Sequence, residues 1–167
     1  MSSQLPDAEV LLSKLAESIK PLITPKTALV GMHSGGAWLM ERLLPALGKD
    51  LANGILDVSF YRDDYNQRGL HSETRPSKIP FEVEDRHIIL IDDVFYTGRT
   101  IRAAMNELFD YGRPASITLA VLVNRGGREL PITPQISAFD INLDAKQNLQ
   151  LLRHDDGQFY LSLKENA

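Results

Sequence analysis

Cysteine is absent from the 167 residues, which excludes disulfides and thiolate metal sites. Also missing is any apolar run near the roughly 18 residues of a membrane span, and no basic stretch followed by an apolar run opens the chain. A cytoplasmic protein without a membrane partner is therefore expected. Positive charge is not in excess: the formal net charge is −4, which argues against a generic nucleic-acid coat or a binder of anionic membrane. It leaves room for one local basic patch. No G-x-x-x-x-G-K-[ST] phosphate loop occurs, nor any internal repeat or low-complexity tract. What remains, 43% hydrophobic and 24% charged, is ordinary for a soluble globular protein. Residues 1–167 read as a single domain large enough to bury a real core.

The stretch that organises the chain is Ile88-Ile89-Leu90-Ile91-Asp92-Asp93-Val94-Phe95-Tyr96-Thr97-Gly98-Arg99-Thr100. Four consecutive apolar residues, three of them β-branched, predict a strand buried on both faces. Two carboxylates follow, then a small polar turn, then a helix with Ile101, Met105, Leu108 and Phe109 on one predicted face. Open α/β sheets bind ligands at such a strand end. Backbone N–H groups of Thr97, Gly98, Arg99 and Thr100, two hydroxyls and the helix dipole suit a phosphate monoester. Gly98 lets the backbone approach the anion. Asp92 and Asp93 repel phosphate, but suit a ribose diol or a Mg²⁺ ion held through water. Acids for a sugar beside amides for its 5′-phosphate describe a phosphoribosyl site. A receiver-like sheet, where paired acids hold Mg²⁺ without a sugar, is the other reading of the strand and acids alone.

Around this stretch the chain reads as alternating helices and strands. Asp7 caps a first helix with Val10, Leu11, Leu15 and Ile19 as its expected buried stripe and Pro21 as its stop. The run from Thr27 to Met32 is a core strand leading into His33-Ser34-Gly35-Gly36 and a helix with Trp38, Leu39, Leu43 and Leu47, ended by Gly48. That glycine turn is either an anion-binding turn or a device for close helix packing. Residues 54–62 alternate as a half-buried strand. The segment Asp63 to Pro80, with Arg68, Arg75 and Lys78, is either a basic loop that closes over a ligand or a surface excursion. Gly112-Arg113-Pro114 ends the helix after the signature, and Ala115 to Asn124 is a further buried strand. An arginine- and glycine-bearing loop from Arg125 to Ile132 follows. Leu149 to Lys164 reads as a hairpin around Asp155-Asp156-Gly157-Gln158.

The thirteen-residue block resembles the phosphoribosyl pyrophosphate (PRPP) signature of type I phosphoribosyltransferases. Together with Tyr61-Arg62-Asp63-Asp64, Gly112-Arg113-Pro114 and the segment from Val121 to Ile132, it is similar to the pyrimidine operon regulatory proteins. Those are bifunctional uracil phosphoribosyltransferases and mRNA-binding attenuators. The resemblance implies an α/β fold with a central parallel five-stranded sheet flanked by helices and a small hood. It implies a homodimer or higher homo-oligomer, Mg²⁺, and PRPP, uracil and UMP as ligands, with a pyrimidine-gene mRNA leader as a partner.

Residue by residue, the resemblance implies PRPP binding by Ser34, Gly35, Gly36 and the run Asp92, Asp93, Val94, Phe95, Tyr96, Thr97, Gly98, Arg99 and Thr100. Asp92, Asp93 and Arg62 would serve catalysis, with Asp92 and Asp93 holding the metal through water. Arg125 and Arg128 would help bind the base. One departure stands out: many relatives carry Thr-Arg-Gly where this chain has Ser34-Gly35-Gly36, so one cationic contact to pyrophosphate is missing. An arginine placed at Gly36 is expected to return it. Two alternatives remain: a nucleotide-sensing RNA-binding regulator with weak or no transferase activity, and a salvage enzyme for another base.

Overall fold

The computed structural model describes residues 4–58 and 77–166. Its elements run α1 (Ala8–Ile19), a 3-10 turn (Lys20–Leu22), β1 (Thr27–Met32), α2 (Gly35–Leu47), β2 (Ala52–Leu56) and β3 (His87–Phe95). They continue with α3 (Arg99–Tyr111), β4 (Ser116–Asn124), β5 (Ile136–Asp140), β6 (Gln147–Arg153) and β7 (Phe159–Glu165). Strands β1 to β5 form one sheet in the order β2-β1-β3-β4-β5, parallel throughout. The remaining two form an antiparallel hairpin. No helix among the described residues is long and apolar enough to cross a membrane.

The central strands are apolar on both faces because both faces are covered. Leu29, Ile89, Ile91, Ala120 and Leu122 point to one side, where α1 and α2 supply Leu11, Leu15, Ile19, Leu39 and Leu43. Their neighbours Ala28, Val30, Ile88, Leu90, Leu119 and Val121 point to the other, against Ile101, Ala104 and Leu108 of α3. This is the two-residue period of an extended strand. The hairpin is not a separate layer: Leu149, Leu151 and Phe159 join the first of these cores.

Several helix-face expectations need correction. Val10 is 55% exposed and Phe109 likewise. In α1 the buried stripe is Ala8, Leu11, Leu12, Leu15 and Ile19, which leaves Val10 on the far side at 100° per residue. In α3 the small Ala104 takes the buried place between Ile101 and Leu108, and Phe109 falls one residue past that stripe. Asp7 does cap α1, its carboxylate accepting the Glu9 amide at 2.9 Å. Leu56 and Val58 are buried together as the alternation predicts, although strand pairing stops at Leu56. Lys78 and Ile55 exchange two backbone hydrogen bonds of 2.8 Å, which caps the outer edge of β2. Expectations placed on Phe60, Tyr61, Arg62, Asp63, Asp64, Arg68 and Arg75 lie outside the described residues.

Candidate active site

Two βα turns open side by side at the carboxyl ends of β1 and β3. The first is His33-Ser34, joined by a cis peptide bond, and it leads directly into α2. The His33 amide donates to the carbonyl of Leu56 at 2.8 Å, and the Trp38 amide donates to that of Ser34 at 3.1 Å. Packing dictates glycine at the next two positions. A Cβ on Gly36 would run into the carbonyl oxygen of Ile91 and come within 3.1 Å of the Asp92 Cα. One on Gly35 would land on the Asp93 carboxylate, 2.6 Å from its Cγ. The helix therefore lies hard against β3, and its amino terminus stands over the acids. An arginine at Gly36 does not restore a contact, because backbone occupies the space its Cβ needs.

The second turn follows Asp92 and Asp93 at the end of β3. Asp92 is 6% exposed and accepts the Asp93 amide on Oδ1 at 2.9 Å, while Asp93 accepts the Val94 amide at 2.8 Å. Gly98 adopts φ +98° at the cap of α3, a backbone region that side chains rarely occupy. The Arg99 amide donates to Thr97 Oγ1 at 3.2 Å, so one donor of the cradle is held by its own turn. Neither α2 nor α3 carries an acid in its first turn. Two positive helix ends thus flank the two carboxylates, a pairing suited to a ligand with a diol beside phosphates.

A cleft of about 640 Å³ lies above these turns. Ser34, Asp92, Asp93, Val94, Tyr96, Thr100 and Arg125 line one side of it, with Trp38 at the start of α2. The hairpin, through residues 147–152, forms the opposite wall together with Ala145 and Asn166. This is the hood that the fold class calls for. Gly35, Gly36, Phe95, Thr97, Gly98, Arg99 and Arg128 do not line the cleft: Gly35, Gly36, Phe95 and Thr97 are buried, and Arg128 is exposed. Arg99 is paired with Glu129 at 2.8 Å, which ties the turn to the loop after β4. That loop also donates the Glu129 amide to the Thr97 carbonyl at 2.9 Å.

The hairpin wall and Trp38 went unread as cleft residues in the sequence. Alternation in Gln147-Asn148-Leu149-Gln150-Leu151 signals a strand with one polar face, but nothing local says that this strand folds back over Asp92. Trp38 reads as core by helical spacing. It is only partly buried, stacked near Phe159 at 6.5 Å between ring centroids and covered by the Arg153 guanidinium at 4.1 Å.

Comparison with known proteins agrees with this geometry. Residues 5–156 match the model of the phosphoribosyl transferase domain family. A bifunctional protein PyrR from Nitrosococcus oceani is 51% identical over 136 residues, covering 80% of this chain and 77% of that protein. Another from Pseudomonas fluorescens is 47% identical over 151 residues, covering 88% and 90%. Among solved structures, a hypoxanthine phosphoribosyltransferase from Staphylococcus aureus superposes with a TM-score of 0.66 at 19% identity, covering 88% of this chain and 80% of that one. A Leishmania tarentolae HGPRT-ase in complex with GMP gives 0.64 at 17% identity, covering 85% and 82%. At these identities the structural likeness speaks for the fold alone.

Proposed function

The chain belongs to the phosphoribosyl transferase domain family and, within it, to the bifunctional PyrR proteins, and we propose how its cleft carries out that family's work. It is a uracil phosphoribosyltransferase and pyrimidine regulator. The bond from N1 of uracil to C1′ forms as the bond from C1′ to diphosphate breaks, and the N1 proton leaves to solvent, giving UMP and diphosphate. C1′ becomes cation-like on the way, so neutralising the leaving group matters more than a strong base.

The observation that carries this reading is the meeting of Ser34, Asp92, Asp93 and Thr100 in one cleft under the hood. Asp92 and Asp93 accept from the ribose hydroxyls, and the amino end of α3 takes the 5′-phosphate. The Ser34 turn and the amino end of α2 face the diphosphate. No three His, Cys, Asp or Glu side chains converge as a metal cage among the described residues. A pair of carboxylates fits Mg²⁺ instead, which keeps waters and takes further ligands from substrate phosphates. When bound, the ion neutralises diphosphate charge.

Purified protein should release diphosphate only when both PRPP and uracil are present. Release with hypoxanthine or guanine but not uracil would replace this reading with salvage of another base. The regulatory half rests on the word bifunctional in the relatives' name. Acting in the cytoplasm as a homodimer or larger homo-oligomer, the protein binds a pyrimidine-gene mRNA leader more tightly with UMP, by linkage between the two sites. Because the net charge is −4, that affinity comes from one cationic surface and falls steeply as salt rises. Filter binding across a salt series, with and without UMP, checks it; indifference to both removes the regulatory half.

A further inference from the structure

Arg125 is the most buried cation that lines the cleft, at 3% exposure. Its Nη1 donates to the carbonyl of Gln147 at 2.8 Å and its Nη2 to that of Asp144 at 2.9 Å. Both carbonyls lie at the root of the hood hairpin. The guanidinium plane also stacks on Tyr96 of the signature turn, 3.9 Å from the ring centroid. Its backbone completes the joint: the Arg125 amide donates to Phe95 at 3.1 Å, and its carbonyl accepts the Leu143 amide at 3.1 Å. Gly127 also lies against Tyr96, and a Cβ there would collide with the ring. Tyr96 is thus packed against both Gly127 and the Arg125 guanidinium. Nε is the one buried side-chain donor without an acceptor among the described residues, so two carbonyls and a ring face are what hold this cation in place.

We propose that Arg125 is a positioning residue for the base: a strut that fixes the hood against the signature turn, with no direct contact to the ligand. The inference rests on the uracil phosphoribosyltransferase reading above. Asp92, Asp93 and Thr100, which face the phosphoribosyl group, sit on β3 and α3 and do not depend on the strut. The hood wall at residues 147–152 does. Releasing its root shifts the base and leaves the phosphoribosyl group in place, and small displacements of a reacting group are costly in rate. Two diverging carbonyls and an aromatic face match a planar fork, which an ammonium cannot imitate.

The test is steady-state kinetics of the full chain, its Arg125→Lys and Tyr96→Leu variants and their double variant, with PRPP affinity measured separately by calorimetry. Arg125→Lys should raise KM for uracil tenfold or more while the Kd for PRPP changes less than threefold. Tyr96→Leu should move the same parameter by less, and the double variant should be no worse than Arg125→Lys. A uracil KM unchanged in Arg125→Lys, or both substrates weakened equally, overturns the strut. If Arg125→Lys does not fold, the same split in Arg125→Gln decides. An inactive parent chain overturns the functional reading itself, and this inference with it; an active parent with no split overturns the inference alone.

Discussion

The two βα turns of the cleft have the same topology and use glycine for opposite reasons. At the first, Gly35 and Gly36 are glycines because of what surrounds them: the Asp93 carboxylate and the Ile91 carbonyl fill the places of their side chains. At the second, Gly98 has room, the nearest atom to its Cβ position being 3.5 Å away on Leu130, but its φ of +98° forbids side chains in practice. One turn is defined by packing and the other by conformation. The packed turn fixes the distance between α2 and β3, and so the seat of Asp93. The other turn sets the direction in which the amides of α3 point. A phosphoribosyl diphosphate needs both, because its two anionic ends lie on either side of the sugar.

The largest effects should come from the residues the two turns share. Asp92→Asn and Asp93→Asn keep an oxygen to accept the neighbouring amide, so folding survives. Each loses a charge-assisted interaction worth roughly 1.5–3 kcal/mol, which is a fall in transfer of about 10- to 100-fold. Diphosphate-release kinetics measure it, and near-parental rates in both variants would remove the acids from the site. Next comes Gly35→Val. Its Cβ meets the Asp93 side chain, with Cγ at 2.6 Å and Cβ at 3.0 Å, where Gly36 meets backbone, so the chain should fold at some cost in stability while the Asp93 carboxylate is displaced. Overpacking of this kind costs roughly 1–3 kcal/mol, read as a PRPP Kd at least several-fold weaker in calorimetry. Unchanged PRPP affinity would make the first turn a packing device only, and the comparison between the turns would collapse. Gly98→Ala probes the other side of it. With no overlap to relieve, only the strained backbone counts, roughly 1–2 kcal/mol of stability, seen as a lower Tm.

Most of the sheet could be read from the apolar runs at residues 27–32, 88–91 and 115–124, and the second turn from residues 92–100, because their signals are local. A doubly buried strand must be apolar throughout, and a phosphate turn needs its amides, hydroxyls and glycine consecutively. What the sequence hid is what depends on distant partners. That Gly36 excludes an arginine follows from Ile91, fifty-five residues on, and not from its neighbours. Helical spacing puts Val10 and Phe109 inside, yet small residues, Ala8 and Ala104, occupy places in the contact stripes. β5, with half-exposed residues at the sheet's edge, has too weak a pattern to stand out, and only the family resemblance required a fifth strand. Arg125 announced itself as a cation near a ligand loop; its bonds to Asp144 and Gln147 needed the fold.

The smallest expected effect tests whether the hood can be loosened without disturbing either turn. At its tip the hairpin is held by Glu9 of α1, which accepts the Phe159 amide at 2.9 Å and pairs with Arg42 of α2. Arg42 in turn donates to the Gly157 carbonyl at 3.3 Å and lies 5.1 Å from the centre of the Phe159 ring. Partial burial pushes the Glu9 carboxyl up and nearby Asp156 adds to that, but the bonds from Arg42 and Phe159 and the Arg42 charge outweigh both, leaving it below the ordinary 4.5. A carboxyl lowered in the folded state stabilises that state above its unfolded value and loses the contribution as pH falls through its folded value. The anchor is therefore intact at pH 7 and weakens below 4.5. Glu9→Gln should remove that acid-dependent part, lowering stability at pH 7, read as a lower Tm, by on the order of 1 kcal/mol or less for a partly exposed pair. Below pH 4.5 the variant and parent should converge. Hydrogen exchange at neutral pH should then rise at Phe159 and its neighbours in β7 while the amides of α2 and β3 stay protected, because both turns are built on the sheet and not on the hood. Faster exchange at Ile91 and Val94 as well would mean that hood and turns open as one unit, and the separation drawn between them would be lost.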